Sequence, residues 1–394
     1  MRNDLSLGTK CSLLFASYYA FMYPTMIMYS TYLVTFGLDV SIVAVMMSIS
    51  GMISLVLRPI LAPVIDGGKC RTLSLIMIGC MAVGVIVFFF PGNKSFLQAS
   101  VYAVLTNSVC VCFMDMNDSW VLKLVKQTCE VDYGRSRAFG SAAFAVTGLL
   151  YGYAFSKLGS RIAPVCILTL MLFLFLVTRV LPDPQKVEVV GNRRSGISNY
   201  KTLVKNRKII AFVICYALAN ATFNFTDNYI PVLILQRGGS TAWTGLNDFV
   251  MATIEFLVLR RFTEIADRIG TERVVWMGML GFCVKAVLVA LMPSPVWILI
   301  ACLTQVISFC LMIPSRMRFI EKNVMQDEIA VVMSLSSFAS SAFSTFVSNP
   351  LASQLIPRIG TDRTMILYGC LAAVAGICFA TIMRILKPKK QMIE

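Results

Sequence analysis

The chain has 394 residues, of which 57% are apolar and only 14% charged, with a mean hydropathy of +0.76; soluble domains carry roughly 25% charged residues, so one soluble globular core is excluded. Its net charge of +15, from 35 basic and 20 acidic residues, comes without an aromatic-interleaved basic patch, which argues against a nucleic-acid partner. With no histidine and no Gly-rich phosphate loop, metal-site and Ser-His chemistry are unsupported, and neither an enzyme nor a cofactor or metal is expected.

The apolar residues fall in long runs, such as Leu75 to Phe90, without the alternation of barrel strands. Lipid cannot hydrogen-bond a bare backbone, so these runs must be helices. A span needs about 20 mainly apolar residues. Twelve are predicted, centred near Ala20, Gly51, Met81, Ala103, Ala145, Met171, Leu218, Met251, Gly281, Leu303, Phe343 and Ala375. The polar stretch 182–208 reads as a linker between six-helix halves at 1–181 and 209–394. With both termini in the cytoplasm, 27 basic residues fall in the inner segments and 6 in the outer loops, the bias of the positive-inside rule. The expected product is an all-α, multi-pass protein of the plasma (inner) membrane.

In chain order, Met1 to Lys10 is polar and runs into a full span with no cleavable signal expected. Tyr18, Tyr19, Tyr23 and Tyr29 of the first span are packing or interface residues, or stack on a sugar or aromatic ring. A loop Asp66-Gly67-Gly68-Lys69-Cys70-Arg71 follows the second span. In the fourth, Asp115 and Asp118 share a helix face, with Asn117 between them. The fifth carries Arg137, Phe144 and the small-residue stripe Gly148 to Gly152. Asn220, Asn224 and Asp227 line one face of the seventh, and Asp248 and Glu255 one face of the eighth. The next loop reads Asp267-Arg268-Ile269-Gly270-Thr271-Glu272-Arg273. Lys285 lies 12 residues beyond Arg273, about 18 Å along a helix and too deep for easy snorkelling. Gln305 and Ser308 occupy the tenth span; Ser336, Ser337, Ser340, Ser341 and Ser344 line the eleventh. Most of the 13 cysteines lie in spans and read as buried thiols. Asp66 and Asp267, Lys157 and Arg358, and Gly159 and Gly360 are each 201 residues apart, so the halves repeat. Parallel repeats with a midplane site between them are a transporter plan.

The loop Asp267-Arg268-x-Gly270-x-x-Arg273 resembles the loop signature of the major facilitator superfamily, with a degenerate copy at Asp66 to Arg71. The run Tyr133-Gly-Arg135-Ser-Arg137-Ala-Phe139-Gly140-Ser141 is similar to the lactose permease branch of oligosaccharide, nucleoside and phenylpropionate proton symporters. The resemblance implies two pseudo-symmetric six-helix bundles and secondary transport of a small polar solute. It implies an acidic residue of the fourth span, Asp118 or Asp115, paired with Arg137. It also implies a substrate-stacking aromatic at Phe144, a substrate carboxylate at Glu255 and an essential cation at Lys285. Lys285 and Glu255 are expected to be able to pair across a cavity. The lysines that partner seventh-span aspartates in the branch are missing here, leaving Asp227 uncharged, cavity-facing or paired elsewhere. The proton-binding histidine and glutamate of the branch are Gln305 and Ser308, so the coupling ion, a proton or another, falls to Glu255, Asp115, Asp118 or Asp227. Asp66, Arg71, Asp267, Arg268 and Arg273 are expected to gate. A sugar-like or nucleoside-like solute is the leading expectation, with an organic anion, amphiphile efflux or a non-transporting membrane sensor as alternatives. The partners expected are that solute, the bilayer and a coupling ion, and the protein is expected to be a monomer.

Overall fold

The computed structural model describes residues 6–90, 95–128, 133–184, 206–259, 262–324 and 329–386; the expected linker, 182–208, lies mostly outside them. Among the described residues there is no strand, and a helical segment forms at each of the twelve predicted centres. In chain order they are α1 (Leu7–Thr35), α2 (Val40–Asp66), α3 (Cys70–Phe89), α4 (Phe96–Val125), α5 (Tyr133–Leu158), α6 (Ile162–Val180), α7 (Arg207–Gln236), α8 (Thr241–Leu259), α9 (Thr271–Leu291), α10 (Pro295–Asn323), α11 (Ile329–Phe343, Ser344–Ser348 and Asn349–Ile359) and α12 (Thr361–Ile385). Ten of these are long and apolar enough to cross a membrane; α8, with Asp248 and Glu255, and α11, with its serine row, are the two that the described residues leave below that mark.

By their internal contacts the residues form two compact units: Met1–Val190 with Asn228–Ala252 and Asn349–Pro357, and Gly191–Asp227 with Thr253–Ser348 and Arg358–Glu394. In unit 1, Tyr18 and Tyr29 of α1 are buried with their hydroxyls satisfied on backbone carbonyls. Tyr18 donates to Cys110 O at 2.8 Å and Tyr29 to Ala99 O at 2.6 Å, and the Tyr29 ring stacks on Tyr102 at 4.8 Å. Burying a ring this way gains apolar area without leaving an unpaired hydroxyl. Unit 2 is built on the rings of Phe212, Phe319 and Phe379 with Val275, Met279 and Met312 around them.

The internal repeat is written into the backbone. α1 ends at Gly37 (φ 81°) and α7 at Gly238 (φ 76°), 201 residues on. Each closes with the same pair of bonds, Gly37 N to Val34 O and Leu38 N to Leu33 O, against Gly238 N to Leu235 O and Gly239 N to Ile234 O. That is a left-handed glycine C-cap, which a residue with a Cβ adopts only under strain. Gly159 and Gly360, again 201 apart, follow α5 and α11 and also have positive φ (72° and 85°).

Four helices are not regular throughout. π-turns interrupt α1 at Tyr23–Ile27, α4 at Ala103–Asn107 and α11 at Ser344–Ser348, and a 3₁₀ turn interrupts α10 at Leu303–Val306. Local hydroxyls compete with the ladder at these places. Ser50 and Ser108 both donate to Ala103 O, and Thr304 donates to Ala301 O while Ser308 donates to Thr304 O. The breaks in α4 and α10 lie 200 residues apart, so they are equivalent features of the two halves. Each is met by a glycine of the preceding helix. A Cβ on Gly84 would collide with Thr106 Oγ1, and one on Gly281 with Ile307 O.

Candidate functional site: a charged cluster at the break in helix α10

Gly281 decides what surrounds Lys285. With no side chain there, the α10 backbone closes against α9 at Ile307 and Ser308, and Lys285, one turn on from Gly281 on the same face, meets the 3₁₀ turn. Lys285 Nζ donates to Gln305 Oε1 at 2.7 Å and to Asp227 Oδ1 at 2.7 Å, and it lies 5.7 Å from the Phe223 ring centroid. The lysine side chain is 3% exposed and the aspartate 40%. Asp227 therefore keeps part of its carboxylate accessible, while the ammonium is enclosed.

Of the states expected for Asp227, paired elsewhere is the one found: its partner is Lys285 of α9, in place of the missing lysines. The carboxylate hydrogen-bonded to Nζ comes from α7. Glu255 is half-buried in α8. The polar face of α7 continues from Asp227 through Asn224 and Asn220, whose amides donate to Ser344 at 3.2 Å and Ser340 at 2.6 Å. Both pairs are 120 residues apart, so the serine row of α11 is the partner of the α7 stripe.

In unit 1 the acidic residues of α4 are distributed differently from expectation. Asp115 Oδ2 lies 2.8 Å from Arg58 Nε of α2, at ion-pair distance but without hydrogen-bond alignment. Asp118 accepts from the Tyr133 hydroxyl at 3.0 Å. The expected Asp118–Arg137 pair does not form. Arg137 instead lies 4.1 Å from the Tyr19 ring centroid and donates to Ser141 at 3.5 Å, because the α1 rings occupy the space its guanidinium faces. Asn117 is fully buried, and neither its amide N nor its O has a partner in the structure. Phe144 meets Tyr23 edge-on at 5.1 Å, and Tyr23 donates to Asp248 at 2.7 Å.

Two of the expected gating residues, Arg71 and Asp267, have partners within their own units. Arg71 donates from Nε and Nη2 to Leu181 O at 3.2 and 2.5 Å, and its backbone N–H donates to Asp183 at 2.7 Å. A cation on the last carbonyls after α6 is favoured by the helix dipole. Asp267 pairs with Arg318, and Lys322 donates to Thr271 at 2.9 Å. Arg273 lines a cavity of about 450 Å³ with Lys322 and Glu272; Arg268 is exposed. The Asp66 side chain lies outside the described residues. No group of three or more candidate metal ligands occurs among the described residues.

One residue escaped the sequence. Arg316 counts there among the basic flanks of an inner loop, yet it stands inside α10, half-buried, with donors spent on Tyr216, Met333 and Ser337. The pattern Arg316-x-Arg318 before Lys322 looks like any interfacial cluster, and only the packing of α7 and α11 against α10 separates the first from the others.

The model of the MFS_1 like family matches residues 10–363. A comparison with curated protein sequences finds no match. Among solved structures, a point mutant of the nucleoside transporter NupG aligns with a TM-score of 0.82 at 14% identity, covering 97% of this chain and 100% of that one. A POT family transporter in complex with a thioalcohol-conjugated peptide aligns at 0.71 and 13%, covering 97% and 96%. A D-xylose-proton symporter aligns at 0.68 and 13%, covering 95% of each chain.

Proposed function

Because the chain belongs to the MFS_1 like family, within the major facilitator superfamily, we propose that it moves a small polar organic solute, sugar-like or nucleoside-like, across the plasma membrane by alternating access, with both termini in the cytoplasm. The observation that carries this is the Lys285–Asp227–Gln305 cluster at the break in α10. Ionised side chains deep in a span are expensive unless they border water, a partner or a substrate path, and the half-exposed carboxylate of Asp227 leaves such a border open. The nucleoside transporter and the xylose-proton symporter that share the fold lend support to a solute of this class.

In this mechanism Gln305 and the amide face of α7 orient solute hydroxyls or base edges, and Asp227 exchanges the coupling ion. A proton or cation arriving at Asp227 weakens its hold on Lys285, freeing the ammonium and Gln305 to rearrange around the solute. The Asp267–Arg318 pair and the Arg71 cap act as gates, holding one access state and breaking in the other.

The test is substrate counterflow in proteoliposomes with a panel of sugars, nucleosides and carboxylates at two pH values. Counterflow requires alternating access and no driving ion. Accumulation of one class, lost in Lys285→Met, is expected; no counterflow with any of them would favour a transport-dead sensor.

A further inference from the structure

Arg316 lies 11 residues beyond Gln305 in α10, about 16 Å along the helix. Its Nη1 donates to Tyr216 OH at 3.1 Å; its Nη2 donates to Met333 O at 2.7 Å and to Ser337 Oγ at 2.5 Å. The guanidinium carbon is 4.9 Å from the Tyr216 ring centroid. All of these partners are dipoles. Nε is buried without an acceptor, and among the described residues no carboxylate comes within ion-pair distance of the group.

The repeat makes this stand out. The residues 201 positions before Tyr216, Arg316 and Ser337 are Phe15, Asp115 and Ser136, so α4 and α10 each carry a charge at the same place. In α4 that charge has a counter-ion, Arg58; in α10 none is found among the described residues. Both hydroxyls beside Arg316 accept from it, so each turns its own hydrogen away from the guanidinium. Neither finds an acceptor among the described residues. A cation and two hydroxyl donors with no anion among them form a receptor for an oxyanion.

We propose that Arg316, Tyr216 and Ser337 bind the anionic group, a carboxylate or a phosphate, of the transported solute. This rests on the transport reading above and narrows it to a sugar-like or nucleoside-like solute bearing one oxyanion. The guanidinium supplies the charge, with Nε–H and one Nη1–H not engaged by the protein among the described residues, and the two hydroxyls complete the donor set. Lys285 does not serve this purpose, because Asp227 already neutralises it.

The test is protection of the purified full-length protein against thermal unfolding by matched probes: D-glucose against D-glucuronate, uridine against uridine 5′-monophosphate, and inorganic phosphate alone. The anionic member of a pair should protect at a concentration at least ~10-fold lower than its neutral partner, the value of one good charge-assisted contact. Arg316→Gln should erase that preference and Arg316→Lys should keep part of it. If Arg316→Gln does not yield monodisperse protein, Tyr216→Phe removes one hydroxyl donor and should weaken protection by the anions only. Equal protection by both members of each pair, no protection by any anion, or an undiminished preference in Arg316→Gln would each overturn the proposal. Inorganic phosphate acting as well as the nucleotide would also overturn it, since the site would then hold a free anion. The transport reading fails separately, by absence of counterflow with a probe that binds.

Discussion

Replacing Asp227 and Lys285, singly and together, tests the central cluster through an asymmetry visible in its burial. At 2.7 Å and an effective dielectric of about 20, the Coulombic attraction of the pair is about 6 kcal/mol, and much of it is offset by desolvation of the lysine. Asp227→Asn removes the counter-charge of an ammonium that is 3% exposed. Gln305 remains as one acceptor, so the loss should fall near the low end for a broken buried pair, about 3 kcal/mol. Lys285→Met leaves a carboxylate that is 40% exposed and that water can reach, so its cost should be about 1 kcal/mol. The double variant carries neither charge and should lose about 1 kcal/mol or less, giving a coupling near 3 kcal/mol. A thiol-reactive dye reads unfolding directly, because Cys11, Cys70, Cys110, Cys112, Cys215, Cys302 and Cys310 are buried. At about 2 °C per kcal/mol for a chain of this size, Asp227→Asn should lower the midpoint by about 6 °C and the double variant should recover most of that. Lys285→Met and the double variant should fail in counterflow, whereas Asp227→Asn should keep counterflow and lose ion-driven uptake. Equal single effects that simply add in the double variant would refute the paired description of the cluster.

Two further substitutions probe how the units hold their polar groups. Gly281→Ala puts a methyl against Ile307 O and should destabilise by about 1–3 kcal/mol as α9 and α10 are forced apart; it should also abolish transport, and a midpoint unchanged in the same dye assay would contradict it. Tyr133→Phe keeps the ring contact with Phe15 but removes the donor to Asp118, for an expected loss of about 1–2 kcal/mol. Denaturation of Tyr133→Phe in an Asp118→Asn background, where the effect should shrink, checks that assignment.

The helices were legible in the sequence because lipid leaves the backbone no alternative: each run of about 20 apolar residues must satisfy its own hydrogen bonds. The repeat was legible for a related reason. Glycines that end helices in the left-handed region cannot be exchanged freely, so Gly159 and Gly360 kept their 201-residue spacing, and Gly37 and Gly238 were found to share it. The identity of deep charges was visible too, because Lys285 and Asp227 are conspicuous in apolar surroundings.

Partners were another matter. Asp227 found Lys285 while Asp118 found Tyr133 in preference to Arg137, and Arg316 passed for a loop charge until α7 and α11 enclosed it. Which side chains meet depends on helix rotation and on a few contacts such as Gly281 against Ile307, each of which moves neighbouring groups by ångströms. An ion pair falls off over that same distance. Composition and periodicity along one chain therefore determined the spans and the list of charges, whereas the pairing of those charges was decided only where separate helices pack, since no local pattern encodes the angle at which two helices face each other.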